Sequence, residues 1–165
     1  MKKLQLLAIA TVALLAVPAA SFASHWTSIC SAGAIDEADL NLYAFTNSSL
    51  TFRGGATGTV SARYNVTNTS VPGDNTPPYT TLQLGSLDTS LFGSVSATLY
   101  EVTPCTGAIT SICTVTSTTQ GTPDCNTCTF ANTTFNFSTN LYYVIVTLSR
   151  TSSGATIQAN TLRIF

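Results

Sequence analysis

Four of the five cysteines, Cys105, Cys113, Cys125 and Cys128, fall within 24 residues of one another, and Cys30 stands 75 residues upstream. Clustered thiols of this kind can form disulfides, ligate a metal or run thiol exchange. In an exported chain the first reading is two structural disulfides, for which four cysteines allow three pairings. The spacing favours two local loops, Cys105–Cys113 and Cys125–Cys128, with bridges from Cys113 to Cys125 or Cys128 as alternatives. A redox-active Cys125-Asn126-Thr127-Cys128 needs a helix N-terminus to stabilise its thiolate, and the flanking residues read as strand. A four-thiolate zinc or iron–sulfur site has enough ligands, but the spacing is unusual and the compartment wrong. Cys30 is left over and is expected to be a buried free thiol, with a link to another chain as the alternative.

The acids offer less. Asp36, Glu37 and Asp39 form the one acidic cluster, where Asp36 can cap a single helical turn. Oxygen atoms of Asp36, Asp39 and Asn41 could serve a hard cation such as Ca²⁺, although their spacing matches no loop with a defined coordination scheme. Asp74, Asp88, Glu101 and Asp124 are scattered, which argues against the facing carboxylate pair of a glycosidase. His25 is the only histidine. Its position close to a cleavage point resembles the N-terminal copper ligand of the lytic polysaccharide monooxygenases, but the resemblance implies a second histidine that this chain lacks. The same lack removes Ser-His-Asp and Cys-His catalysis and the usual catalytic zinc sites. The chain is therefore expected to be non-catalytic and to carry no cofactor.

Exposed aromatic rings are the remaining chemical candidates, because they can stack on a ligand with polar groups fixing its orientation. Trp26, Tyr79 and Tyr143 are the rings proposed for that role, each with a structural alternative in the core. Five Asn-X-Ser/Thr triplets begin at Asn47, Asn65, Asn68, Asn132 and Asn136. In a chain this rich in Asn, Ser and Thr, several arise by chance.

These residues must be positioned by a strand framework. Met1-Lys2-Lys3, an apolar run from Leu4 to Val17 and the small residues around Ser21 and Ala23 have the form of a secretory signal peptide, with cleavage expected after Ala23. The run, about 14 residues, is shorter than the roughly 20 a spanning helix needs. The mature part, residues 24–165, has no lysine and sets four arginines against seven acids, a net charge of −3. Only 8% of the whole chain is charged and 44% is hydrophobic, which excludes intrinsic disorder and a phosphate-neutralising nucleic-acid surface.

Alternation in Gly58–Thr67 places Val60, Ala62, Tyr64 and Val66 on one face. Tyr79–Leu87 and Val95–Val102 read the same way, the latter changing face near Tyr100 as though bulged. Leu141–Ser149 is apolar on both faces and is expected to be a central strand covered on both sides. Shorter strands are predicted at Leu42–Phe45, Leu50–Arg53, Ile109–Val115, Thr129–Phe137 and Ile157–Phe165, separated by Gly, Pro, Asn and Asp clusters. The expected fold is all-β, a single antiparallel sandwich of Ig-like or jelly-roll type with about eight or nine strands, spanning residues 24–165.

The function expected from the sequence is that of an exported, non-catalytic sandwich, structural or surface-associated, in the secreted, periplasmic or cell-surface space. The alternatives are a binding module that recognises a glycan or protein through its loops, Ser70–Pro78 above all, and a subunit of a surface fibre. The partner would be a glycan, another surface protein or a second copy. Nucleic acid and, after signal removal, a membrane are not expected.

Overall fold

A computed structural model describes residues 25–165 apart from 71, 119, 120 and 132. The leader-like segment 1–23 and Asn132 lie outside the described residues. Among the described residues eleven strands form, against the eight or nine expected, all paired antiparallel: β1 (Trp26–Ile29), β2 (Ala34–Ile35), β3 (Tyr43–Phe45), β4 (Leu50–Phe52), β5 (Gly58–Val66), β6 (Thr81–Asp88), β7 (Gly93–Thr103), β8 (Ala108–Thr116), β9 (Asp124–Thr129), β10 (Leu141–Arg150) and β11 (Ile157–Ile164). One sheet has the order β3-β4-β11-β6-β9, with β1 also paired to β11; the other has the order β2-β5-β10-β7-β8. From β4 onward every connection except β7–β8 passes from one sheet to the other. That interleaving is the jelly-roll pattern rather than the immunoglobulin one, where hairpin neighbours share a sheet more often.

The core follows from period-2 alternation. Val60, Ala62, Tyr64 and Val66 of β5, Val95, Ala97 and Leu99 of β7, and Tyr142, Val144, Val146 and Leu148 of β10 are buried against Leu82 and Leu84 of β6 and Ile157, Leu162 and Ile164 of β11. Each such aliphatic side chain contributes about 1.5–3 kcal/mol on burial, and Thr or Ser fills many alternate positions facing water. One end of the sandwich is closed by an aromatic cluster from the 130–142 segment. Phe135 is fully buried, with its ring 4.4 Å from that of Tyr142 and 5.0 Å from that of Tyr79. Arg150 is buried nearby in sequence but not in role. Its guanidinium donates to the carbonyls of Gly54, Ala56 and Ala155 and stacks over Phe52, so backbone oxygens stand where an acidic partner would otherwise be needed.

Three expectations about individual strands change. The strand expected at Thr129–Phe137 lies earlier: β9 ends at Thr129, and its Asp-Cys-Asn-Thr-Cys-Thr sequence carries no aliphatic alternation to reveal it. The irregularity near Tyr100 is real but lies in the partner: Leu99 pairs with Cys113 and Tyr100 with Ser111, leaving Ile112 of β8 as the extra residue. Consequently β7 keeps its alternation, and Tyr100 faces outward directly opposite Tyr143. Finally, β10 is central, hydrogen-bonded to β5 and β7, but among the described residues no second layer packs on its outer face: Leu141 is 61% exposed and Tyr143 and Ile145 are half-buried.

The disulfide pairing also differs from the two local loops. Cys113 of β8 is bonded to Cys128 of β9, with their Cα atoms 6.3 Å apart, while Cys105 and Cys125 are exposed free thiols and Cys30 is a buried one. The physical reason is topological. β8 and β9 are the edge strands of opposite sheets, brought together on one side of the sandwich, and the bridge joins two strands that share no ladder. Cys113 lies opposite the inward-facing Leu99, which turns it toward the other sheet, whereas Cys125 lies on the outer side of β9.

Candidate functional site

The sequence-derived candidates separate cleanly once placed in the fold. Trp26 is 5% exposed and Tyr79 2%, so neither ring is available for stacking. Trp26 packs in the core, and Tyr79 meets Phe135 edge-on while its hydroxyl pairs with Thr69 Oγ1 at 2.7 Å. Asp36 accepts a hydrogen bond from the Ala38 amide, capping the short 3-10 turn Glu37–Asp39, and Asp39 accepts from the Ser61 amide at 2.8 Å. The two carboxylates thus serve different backbone donors, with Asn41 exposed beside them. Among the described residues no cluster of three or more His, Cys, Asp or Glu side chains could hold a metal ion. In the loop before β6 the Asn68 side chain donates to the Asp74 carbonyl, Asp74 accepts from the Thr76 amide and hydroxyl, and the Asn75 carbonyl accepts from the Phe137 amide.

Cys30 and Tyr64 form a buried structural pair. The Tyr64 hydroxyl donates to the Cys30 carbonyl at 2.6 Å, and desolvation by burial pushes the Cys30 thiol up to about 12 despite the opposing Tyr64 hydrogen bond. Burial likewise raises Tyr64, with the neighbouring Cys30 adding to it. Gly33 lies directly against this ring; a Cβ there would fall 2.4 Å from a Tyr64 ring carbon, which is why the position has no side chain.

Tyr143 is the candidate ring that stays outside. It stands on the outer face of the five-stranded sheet, stacked on Tyr100 of β7 with centroids 5.1 Å apart and planes 20° from parallel. On its β5 side the Arg63 guanidinium sits 5.0 Å from the ring centroid. A row of three side chains from three adjacent strands therefore crosses the face, each immobilised by the next. Below it, strand register aligns Leu141, Val102 and Ile109, with Leu141 61% and Ile109 59% exposed. Above it lies Ile145, paired with Arg63 on one side and Thr98 on the other. Six apolar or aromatic positions in register on one exposed face, Tyr143, Tyr100, Leu141, Val102, Ile109 and Ile145, form a patch of the kind that marks an interaction surface.

Arg63 is the polar centre of this face. Among the described residues its guanidinium makes no hydrogen bond or ion pair, so its fork of donors is held in place by Tyr143 yet unclaimed. Two depressions adjoin it. One of about 300 Å³ is lined by Ala34, Asp36, Ser61, Arg63 and Ile145, and the other, of about 310 Å³, by Thr27, Ala34, Arg63 and Asn65. The arrangement offers donors, a carboxylate, a hydroxyl and apolar surface within one shallow site. Arg63, Tyr100 and Ile145 were not singled out in the sequence. Their signal was present in the alternation of β5 and in the unusual apolarity of both faces of β10, but that apolarity is equally the mark of a covered strand.

No protein-family model matches the sequence, and no curated protein matches it. Solved structures do. The chain is similar to the CBM36-1 domain of a multidomain xylanase from the hindgut metagenome of Trinervitermes trinervoides, with a TM-score of 0.51 and 10% identity over 86% of this chain and 97% of that one. It is also similar to the Carbohydrate-Binding Module CBM36 in complex with calcium and xylotriose, with a TM-score of 0.50 and 9% identity over 85% of this chain and 99% of that one. At such identities the likeness is one of fold: a two-sheet antiparallel sandwich.

Proposed function

We propose that the chain is an exported, non-catalytic binding module that holds a glycan across the outer face of its five-stranded sheet. The observation that carries this reading is the row Arg63–Tyr143–Tyr100, fixed by stacking, flanked by exposed aliphatic side chains and opening onto the two depressions beside Arg63. A sugar chain presents hydroxyls along its edges and C–H groups on its ring faces. Arg63, Asp36, Ser61 and Asn65 match the first, and Leu141, Ile145 and the tyrosine edges match the second. Recognition by the face replaces recognition through the Ser70–Pro78 loop. The fold neighbours, one described with xylotriose, support the choice of a glycan over other ligands. Export is supported by the leader-like residues 1–23 and by a disulfide that an oxidising compartment would sustain.

The test is a glycan array, xylo-oligosaccharides included, with wild-type protein beside Tyr143→Ala and Arg63→Ala. Binding that falls at least tenfold in both variants, with melting temperature unchanged, is expected. Equal binding by all three would overturn the assignment of the face.

The reading as a structural protein or surface-fibre subunit is favoured by a different observation, the exposed thiols Cys105 and Cys125. Cys105 lies in the β7–β8 turn and Cys125 near the start of β9, so they face opposite ends of the sandwich and suit links between copies rather than within one. A mass measurement under non-reducing conditions separates the two readings: a covalent ladder supports assembly, a monomer the binding module.

A further inference from the structure

On the opposite side of the sandwich, the outer face of the six-stranded sheet carries a groove of about 490 Å³ along β11. Register sets Thr27, Arg163 and Gln83 side by side across β1, β11 and β6, and one step along sets Ile29, Thr161 and Gly85. Gly85 leaves the space that the Thr161 hydroxyl occupies, since a Cβ there would lie 2.4 Å from Thr161 Oγ1. Ile29 is 47% exposed at the groove wall.

Arg163 governs the chemistry of this groove. Its guanidinium lies 4.9 Å from the centroid of the Phe165 ring, one terminal nitrogen is 2.9 Å from His25 Nδ1, and its Nε–H is buried with no hydrogen-bond partner. No carboxylate lines the groove, and Arg163 forms no ion pair among the described residues. Stacked on Phe165 and with no carboxylate beside it, the Arg163 guanidinium edge that lines the groove suits an anionic oxygen acceptor, while its buried Nε–H reports on the position of the group. The remaining walls are hydroxyl, amide and one aliphatic side chain, which suit a hydroxylated ring better than a bare ion.

We propose that this groove binds a carboxylate-bearing saccharide of the uronic acid class. The carboxylate would stand against Arg163, the ring hydroxyls would bond to Gln83, Thr27 and Thr161, and the ring's C–H face would pack on Ile29. This groove shares Thr27 with the rim of the second depression beside Arg63, but its Arg163, Gln83 and Thr161 stand on the other sheet, and the proposal does not rest on the reading of the Tyr143 face.

The experiment is a ¹⁵N NMR titration of the arginine Nε–H signals in protein purified from expression of the full chain, using tri-galacturonate and its neutral counterpart, galactotriose. Tri-galacturonate is expected to move the Arg163 Nε–H signal, and galactotriose to leave it in place. Arg163→Gln should weaken tri-galacturonate binding at least tenfold, and Gln83→Ala, which leaves the Phe165 stack intact, several-fold. Arg63→Gln and Tyr143→Ala should change it less than twofold, which keeps failure of this site distinct from failure of the other. An unmoved Arg163 signal, equal shifts with both sugars, or loss of binding in Arg63→Gln with none in Gln83→Ala would overturn the proposal. Should Arg163→Gln fail to fold, the wild-type titration and Gln83→Ala decide it.

Discussion

Removing the Cys113–Cys128 bridge is the sharpest test of how this sandwich is closed. The bond spans 15 residues, and it joins edge strands of opposite sheets that have no ladder hydrogen bonds between them. In the chain-entropy treatment, a closed loop of that length lowers the entropy of the unfolded state by an amount worth about 3 kcal/mol at 25 °C. A domain of roughly 140 residues unfolds with about 0.3 kcal/mol/K of entropy, so the loss corresponds to a melting temperature lower by about 10 °C. The assay is thermal unfolding followed by circular dichroism, comparing wild type with a Cys113→Ala, Cys128→Ala double variant, together with peptide mapping of the unreduced protein. The account predicts a drop near that size and a Cys113–Cys128 peptide. A drop under 2 °C, or a map showing Cys105–Cys113 and Cys125–Cys128, would refute the reasoning, because the two sheets would then be closed on that side by packing alone.

Other outcomes follow from particular residues. Because burial raises the Cys30 thiol from 9.0 to about 12, the folded state keeps its proton where the unfolded state has lost it. The contribution of Cys30 is therefore fully present below pH 9 and is lost as pH rises toward 12, so stability measured by urea unfolding should fall less steeply across that window in Cys30→Ala than in wild type. Equal slopes would show that Cys30 does not titrate differently on unfolding. Phe135→Ala should cost about 3–5 kcal/mol in urea unfolding, since the fully buried ring joins four other aromatic residues at the closed end; a cost under 1 kcal/mol would mean that the end is plugged by other side chains. Arg150→Met should cost about 3 kcal/mol by leaving the carbonyls of Gly54, Ala56 and Ala155 without their donor, and an unchanged midpoint would show that water replaces it.

The fold was legible where burial imposes alternation. Val60 to Val66, Leu82 to Leu84 and Val95 to Leu99 announce strands and their inward faces because every second position must be apolar. β9 escaped because its inward positions are Asn126 and Cys128, polar or sulfur-bearing residues that lie at a sheet edge and bury only in part. The bulge was visible as a break in the pattern of β7, but a pattern on one strand cannot say which of two partners holds the extra residue; Ile112 of β8 does. The site was harder to read for a related reason. A strand apolar on both faces is usually buried between layers, and only the arrangement of the sheets shows that the second face of β10 is open. Trp26 and Tyr79 illustrate the converse: an aromatic residue beside a turn looks the same in sequence whether it seals the core or faces water. Cysteine spacing likewise favoured short loops, whereas the jelly-roll crossing of β8 and β9 decided the bond.

The central claim is that the outer face of the five-stranded sheet is the binding surface. Backbone amide NMR shifts recorded while the strongest oligosaccharide from the array is added test it directly. The account predicts shifts concentrated in Arg63 and Asn65 of β5, Tyr143 and Ile145 of β10 and Tyr100 of β7. Shifts confined to the 68–78 loop, with those five residues unmoved, would contradict it.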